Sequence, residues 1–292
     1  MRILVAVDQN PYSDHVVREA ARLAGNTWAD VTILGLGTPM KSKDETAHPL
    51  EPGLLRALSA YRESFLASFG DGGQSPYEET ECRYETLELR AGVWEQLKVC
   101  RGKRKDLKVK IRTANQVRGI LAESTEEAYD LIMLGCDAER RCRWESAGNL
   151  PQKVAVDASC SVLVVKERQQ IRRLVCCLDH DRVSQESLEM INEMVTIHRA
   201  ELHLVGLTEG DALRSEVEKK MDWVLRYYTA RQIRPWIELV KLSALESFIS
   251  QEARWGLVSL WMGKKSILEK VLPKSKVGRF IQASRSSVLL LR

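Results

Sequence analysis

No stretch of this 292-residue chain approaches the roughly 18 consecutive apolar residues that a membrane-spanning helix needs, and the longest runs, such as Ile3 to Val7, are strand-sized. A transmembrane helix is therefore not expected. Aromatic residues make up only 6% of the chain, and none interleave with its basic clusters, which withholds the stacking platform that single-stranded nucleic acid uses. With 8 prolines and 17 glycines the composition excludes collagen-like and low-complexity chains. Histidine is scarce too: His15, His48, His198 and His203 share no common spacing, so no metal site is expected. Seven cysteines, an odd number scattered over a long chain, do not form the framework of a small secreted protein and are read as reduced thiols. The opening MRILVAVDQN reaches an aspartate at its eighth residue and offers no small-residue cleavage site, so the expected location is the cytosol. Neither a nucleophile elbow, a Walker loop, an HExxH pair nor a full dinucleotide fingerprint is present, and no enzymatic activity is expected.

What the sequence does contain is repetition. RILVAVD (Arg2 to Asp8) returns as RLVCCLD (Arg173 to Asp179), an offset of 171 that also pairs Ser13 with Ser184, Ala29 with Ala200 and Gly35-Leu36 with Gly206-Leu207. Further on, DLIMLG ending at Gly135 matches LVSLWMG ending at Gly263, and SVLVVK (161–166) matches SVLLLR (287–292). The reading is a tandem duplication, with a first domain over 1–168 and a second over 171–292.

Each copy alternates strand-like and helix-like segments. ILVAV is a continuous apolar run suited to a buried parallel strand, and Ser13 to Ala24 carries Val16, Val17, Ala20, Ala21, Leu23 and Ala24 on one side, as a helix packed on a sheet must. Strands are expected at 31–36, 107–111, 131–134 and 162–165, and in the second copy near 173–178, 202–207, 236–240, 257–262 and 288–291. The expected fold is α/β, two tandem five-stranded parallel-sheet, Rossmann-like domains. Residues about 40–100 of the first copy read as an inserted helical hairpin. Its first helix carries the stripe Leu54, Leu58, Tyr61, Phe65 and Phe69, GDGGQSP (70–76) breaks it, and a second helical stretch follows near 79–100. The insertion either packs on the sheet or serves as a lid that binds a protein partner.

Ligands of an open parallel sheet bind beyond the carboxyl ends of the strands, at the point where strand order reverses. That address selects Asp8, Leu36 and the loop beginning at Gly135. VDQNPYS, LIMLG and CSVLVVK, in this order and twice over, resemble the universal stress protein family across nearly the whole chain apart from 40–100. The resemblance implies a regulatory or stress-adaptation protein and a loop of pattern GxxGx9G[ST] that holds the phosphates of ATP or AMP. At that spacing the first copy has Gly135, Ala138, Gly148 and Asn149, two positions having changed. A methyl at Ala138 obstructs the close approach that glycine permits, so the expected binding is weak, with Asp8 and Leu36 at the adenosine end. Asp8 reads equally well as a carboxylate capping the next turn. The second copy keeps only Gly263 and Ser275, with Ser266 and Lys274 at the other two positions, and is expected to bind no nucleotide. The copies are expected to pack as a pseudo-twofold pair through their final strands, with a homodimer of the whole chain as a further option.

Net charge is +4, and the second half carries the excess, with 20 Lys and Arg against 15 Asp and Glu after residue 168. Arg140, Arg141 and Arg143 lie inside the first-copy loop, where they either add charge toward phosphate or are solvated. Lys264, Lys265, Lys270, Lys274, Lys276 and Arg279, like the seven basic residues between Arg101 and Arg112, read as solvated faces. The alternative role is a ligand-free scaffold that docks partners through the insertion and the basic second domain. Cys136 and Cys142 share the same loop as a redox or metal pair, while Cys160, Cys176 and Cys177 read as core.

Overall fold

The computed structural model describes residues 1–37, 52–70, 75–77, 79–89, 93–102, 104–113, 115–137, 144, 149–166, 170–177, 183–208, 215–262, 268 and 271–292. Two units emerge, and each is built on its own set of parallel strands.

The first unit begins with β1 (Arg2–Val7), α1 (Pro11–Thr27), β2 (Asp30–Gly37) and α2 (Pro52–Ala67). It continues through β3 (Glu79–Leu89), β4 (Val93–Gly102), β5 (Leu107–Thr113), α3 (Gln116–Glu126), β6 (Leu131–Cys136), α4 (Leu150–Asp157) and β7 (Ser161–Lys166). Its strands lie in the order β7-β6-β1-β2-β5-β4-β3. The first five are parallel, and β4 and β3 are added antiparallel beyond β5. The parallel strands form where apolar runs permit burial on both faces: every residue of β6 and β7 is buried, as are Ile3 to Val7 of β1. All six apolar positions expected on the inner face of α1 are buried.

The second unit comprises β8 (Arg173–Cys177), α5 (Gln185–His198), β9 (Glu201–Thr208), α6 (Ser215–Thr229), β10 (Trp236–Lys241), α7 (Leu245–Glu252), β11 (Leu257–Trp261), α8 (Lys274–Ala283) and β12 (Val288–Leu291). Its order, β10-β9-β8-β11-β12, is all parallel and repeats that of the parallel strands in the first unit. Local detail repeats as well. Trp28 and Arg199, related by the offset of 171, both end their helices in the left-handed conformation, at φ 52° and 50°. Asp30 N donates to Met1 O just as Glu201 N donates to Arg172 O.

The inserted helical hairpin is corrected by the structure. α2 forms as expected and buries Leu54, Leu58, Tyr61 and Phe65. By its place between the second and third parallel strands it is the counterpart of α6, an ordinary crossover helix and no insertion. The stretch near 79–100 is not helical: it is the antiparallel pair β3 and β4, in which Cys82 faces Cys100 and Tyr84 faces Lys98. The cause is a period of two. Glu79-Thr80-Glu81-Cys82-Arg83-Tyr84-Glu85-Thr86 alternates charged and strand-favouring residues, which a helix would scatter around its circumference. Gly70, at φ 65°, stands three residues past the end of α2.

Candidate functional site

Strand order reverses beside β1, because the chain leaves β1 toward β2 and β5 and then returns to its other side with β6 and β7. β1 is short at this end. Val7 pairs with Gly35, and Leu36 and Gly37 go on to pair with β5 alone. On the other side the ladder between β1 and β6 ends at Ala6 and Leu134, and Gly135 and Cys136 pair only with β7. The result is a notch two residues deep at the carboxyl end of β1, the address at which a ligand is expected for an open parallel sheet.

The loop leaving β1 starts at this notch. Asp8 is buried, and both of its carboxylate oxygens are used by its own loop. Oδ1 accepts from Asn10 N at 3.0 Å and Ser13 Oγ at 2.8 Å, and Oδ2 accepts from Asn10 Nδ2 at 2.6 Å and the Tyr12 hydroxyl. Ser13 Oγ also accepts from Asp8 N at 3.0 Å. Four donors satisfy the four lone-pair sites of the carboxylate, so Asp8 organises the turn into α1. From α2 the Tyr61 hydroxyl donates to Asp8 O at 2.9 Å. Burial and then the neighbouring Asp8 charge push this phenol up to about 12, so it remains a donor throughout the neutral range.

Gly135 lies under Tyr12. A Cβ at that position would stand 2.6 Å from Tyr12 Cδ2 and 2.8 Å from Tyr12 O, so only glycine permits α1 to approach β6 this closely. Its carbonyl accepts from Trp144 Nε1 at 3.1 Å, and the Trp144 ring packs on Tyr12 with centroids 5.9 Å apart. Both rings are buried. Leu36 is buried beyond the end of β1, and Asn149 is the residue before α4, where its side chain makes no capping hydrogen bond. Asp8, Leu36 and Gly135 are thus brought to the rim of one notch. Ala138 and Gly148 lie outside the described residues, as do Arg140, Arg141 and Arg143. In the second unit Asp179, Gly263 and Ser266 lie outside them too, while Lys274 and Ser275 open α8.

Sequence reasoning passed over Tyr12, Tyr61 and Trp144 at this site. Tyr61 stood out only as one of a helical apolar stripe, which its ring indeed completes while its hydroxyl reaches the β1 loop. Nothing local marks Trp144 as the partner of Tyr12.

The basic run ending at Arg112 is also corrected, since its last members are not solvated. Lys110 and Arg112 of β5 are buried and pair with the fully buried Glu123 of α3 at 2.8 and 2.7 Å. Glu127 accepts from Lys110 at 2.6 Å and its carboxyl is held below the usual range, its own burial working against the Lys110 and Lys108 ammonium groups that lower it. Glu126 completes the set with Arg112. Cys176 and Cys177 are buried in β8, and desolvation pushes both thiols up, Cys177 to about 12. Among the described residues no three His, Cys, Asp or Glu side chains gather as metal ligands, and no helix is long and apolar enough to cross a membrane.

The fold is shared with several solved structures. A universal stress protein from Archaeoglobus fulgidus DSM 4304 superposes with a TM-score of 0.58 at 11% identity, covering 100% of this chain and 98% of that one. A functionally unknown protein from Pseudomonas aeruginosa PAO1 gives 0.56 at 15% identity over 99% and 92% of the two chains. The cytoplasmic domain of a prokaryotic cation chloride cotransporter gives 0.52 at 13% identity over 99% and 94%. At these identities the likeness establishes the architecture alone. No curated protein matches the sequence. The sequence pattern of one family does match, over residues 1–166, which take in every strand that lines the notch. The chain therefore belongs to the universal stress protein family.

Proposed function

We propose that this is a non-catalytic, regulatory universal stress protein that arose by tandem duplication, acts in stress adaptation in the cytosol, and offers ATP or AMP at most a weak site in its first unit. The observation that carries the reading is the state of the notch. The Asp8 carboxylate is consumed by Asn10, Tyr12 and Ser13, and Trp144 holds the Gly135 carbonyl, so an incoming nucleoside meets hydrogen-bonding groups that already have partners. Displacing them costs free energy that the nucleotide's own hydrogen bonds to the protein must first offset. The sequence adds the loss of the second loop glycine at Ala138.

Calorimetric titration of the whole protein with ATP and AMP tests this. One site with a dissociation constant of about a millimolar, weakened by Gly148→Val, is the expected result. A micromolar site would overturn the closed-notch reasoning, and phosphate release from ATP above background would overturn the non-catalytic part.

A second reading, a ligand-free scaffold, is favoured by β10. This strand has no neighbour beyond it among the described residues, and it exposes Trp236, Ile237 and Leu239. The corresponding strand of the first unit, β5, is covered by β4. Absence of any nucleotide heat up to several millimolar, together with partner capture lost in an Ile237→Lys, Leu239→Lys variant, would select this reading.

A further inference from the structure

The amino ends of the strands in the second unit carry a row of arginines. One exposed arginine stands within three residues before each strand: Arg234 before β10, Arg199 before β9, Arg172 before β8, Arg254 before β11 and Arg285 before β12. In the sheet order β10-β9-β8-β11-β12 they follow one another, and at ~4.8 Å per strand the row runs about 19 Å. Along the sequence they are 20 to 35 residues apart, so no basic run announces them. Backbone hydrogen bonds fix their places: Glu201 N donates to Arg172 O at 2.9 Å, and Arg285 N donates to Ala253 O at 3.0 Å, beside Arg254. Among the described residues none of the five forms a salt bridge, and Arg172 donates to the neutral Gln170 side chain at 3.3 Å. The carboxylates at this end have other neighbours, Glu252 pairing with Arg173 at 3.3 Å and Glu201 lying 3.7 Å from His203 Nε2.

The first unit shows that the fold does not require them. Leu257 pairs with Leu174 as Leu131 pairs with Ile3, Val288 pairs with Val258 as Val162 pairs with Ile132, and Ile237 pairs with Leu204 as Val109 pairs with Ile33. By that register, and by the offset of 171, Arg234, Arg199, Arg172, Arg254 and Arg285 correspond to Asp106, Trp28, Met1, Ala128 and Ser159, none of which has a basic side chain. The first unit builds the same order of parallel strands without them. Two tryptophans stand in the row. Trp255, next to Arg254, is 76% exposed, and Trp236, two residues after Arg234, is 64% exposed, the two highest values among the large apolar side chains described. Their strands are three apart, about 14 Å. The counterpart of Trp255 in the first unit, Tyr129, is buried.

We propose that this row is a binding surface for single-stranded RNA, its guanidinium groups taking the phosphates while Trp255 and Trp236 stack on bases. A guanidinium offers phosphate two parallel donors, and an unpaired, exposed one gives up little to do so. An exposed indole is a stacking face that accepts any base. The linear form of the surface matches a strand, whereas a layer of lipid headgroups calls for a patch extended in two dimensions. A duplex keeps its bases stacked inside, out of reach of the indoles, and RNA is the nucleic acid that ordinarily displays unpaired segments. The surface lies in the second unit and at the opposite end of the strands from the address of the notch in the first, so it does not rest on the nucleotide reading.

The test is fluorescence anisotropy of a labelled oligouridine of about 12 nucleotides titrated with the full chain. Micromolar binding at about 50 mM salt is expected, with log K falling against log salt at a slope of up to about −3.5, five phosphates at about 0.7 each. Replacing Arg172, Arg254 and Arg285 together by Gln should flatten that slope by about 2. Trp255→Ala should weaken binding about tenfold, and Trp255→Phe should recover most of the loss. Because these side chains are exposed, the variants should keep the wild-type urea midpoint, which separates lost binding from lost folding. No binding at roughly 100 µM protein, an unchanged slope in the triple variant, or equal affinity for a duplex of the same length would each overturn the proposal. So would binding to phosphatidylserine vesicles without binding to oligouridine. No readout involves ATP or AMP, so the failure of this proposal is distinguishable from the failure of the nucleotide reading.

Discussion

The buried ammonium of Lys166 should leave its mark on stability against pH. Folding moves this group from an ordinary value of 10.5 down to about 8. At about 1.36 kcal/mol per unit, the folded protein carries a penalty of about 3 kcal/mol at neutral pH, where the lysine is charged in both states. Between about pH 8 and 10.5 the unfolded chain still holds a proton that the folded chain has released, so stability rises with pH through that window. Cys176 and Cys177 act in the opposite sense. Their thiols are pushed up from 9.0 by burial, so above about pH 9 the unfolded chain loses protons that the folded chain keeps, and stability falls. The bare curve mixes these contributions, and comparison with Lys166→Met separates them, because both proteins share the two thiols. In urea denaturation followed by circular dichroism, the methionine variant should be the more stable by up to about 3 kcal/mol at pH 7, with the gap closing below about 1 kcal/mol by pH 10. A gap that stays constant with pH would refute the reasoning.

Four other variants address the framework. Glu123→Leu removes the fully buried carboxylate that Lys110 and Arg112 share, and should cost about 3 kcal/mol, read as a lowered urea midpoint. Gly135→Ala meets the backbone of Tyr12 and should cost about 2 to 3 kcal/mol, whereas Gly35→Ala meets the flexible side chain of Leu58 and should cost about 1 kcal/mol or less. Equal or reversed losses of melting temperature would contradict that ranking. Ile237→Lys with Leu239→Lys on β10 should leave stability within about 0.5 kcal/mol per site, since both residues are already exposed, and a larger loss would show that this edge is covered in solution.

The parallel strands and the amphipathic helices were legible because burial on both faces, or along one stripe, writes itself into consecutive residues. The misread stretch at 79–100 shows the limit of that signal. A strongly periodic helix, α2, invites its neighbour to be read in the same way, although Glu79 to Thr86 alternates with a period of two. The charges of β5 failed for a related reason. Taken alone, Lys108, Lys110 and Arg112 are a basic run, and basic runs are usually solvated. Their alternation places all three on one face of a strand, and Glu123, Glu126 and Glu127 follow at helical spacing on the next element, so the three pairs were present in the sequence as two matched periodicities. The notch differs in kind. The rule for open parallel sheets located Asp8, Leu36 and Gly135, because strand ends are local features. What packs beside the notch is not local: Trp144 meets Tyr12 across 132 residues of chain, and Tyr61 reaches Asp8 across 53. A family pattern read along one chain can report which phosphate-loop glycines are kept. It carries no information about side chains brought in from elsewhere, such as Trp144 on the Gly135 carbonyl and Tyr61 on the Asp8 carbonyl, and on the reading proposed above these contacts, together with the change at Ala138, leave the first unit at most a weak nucleotide site.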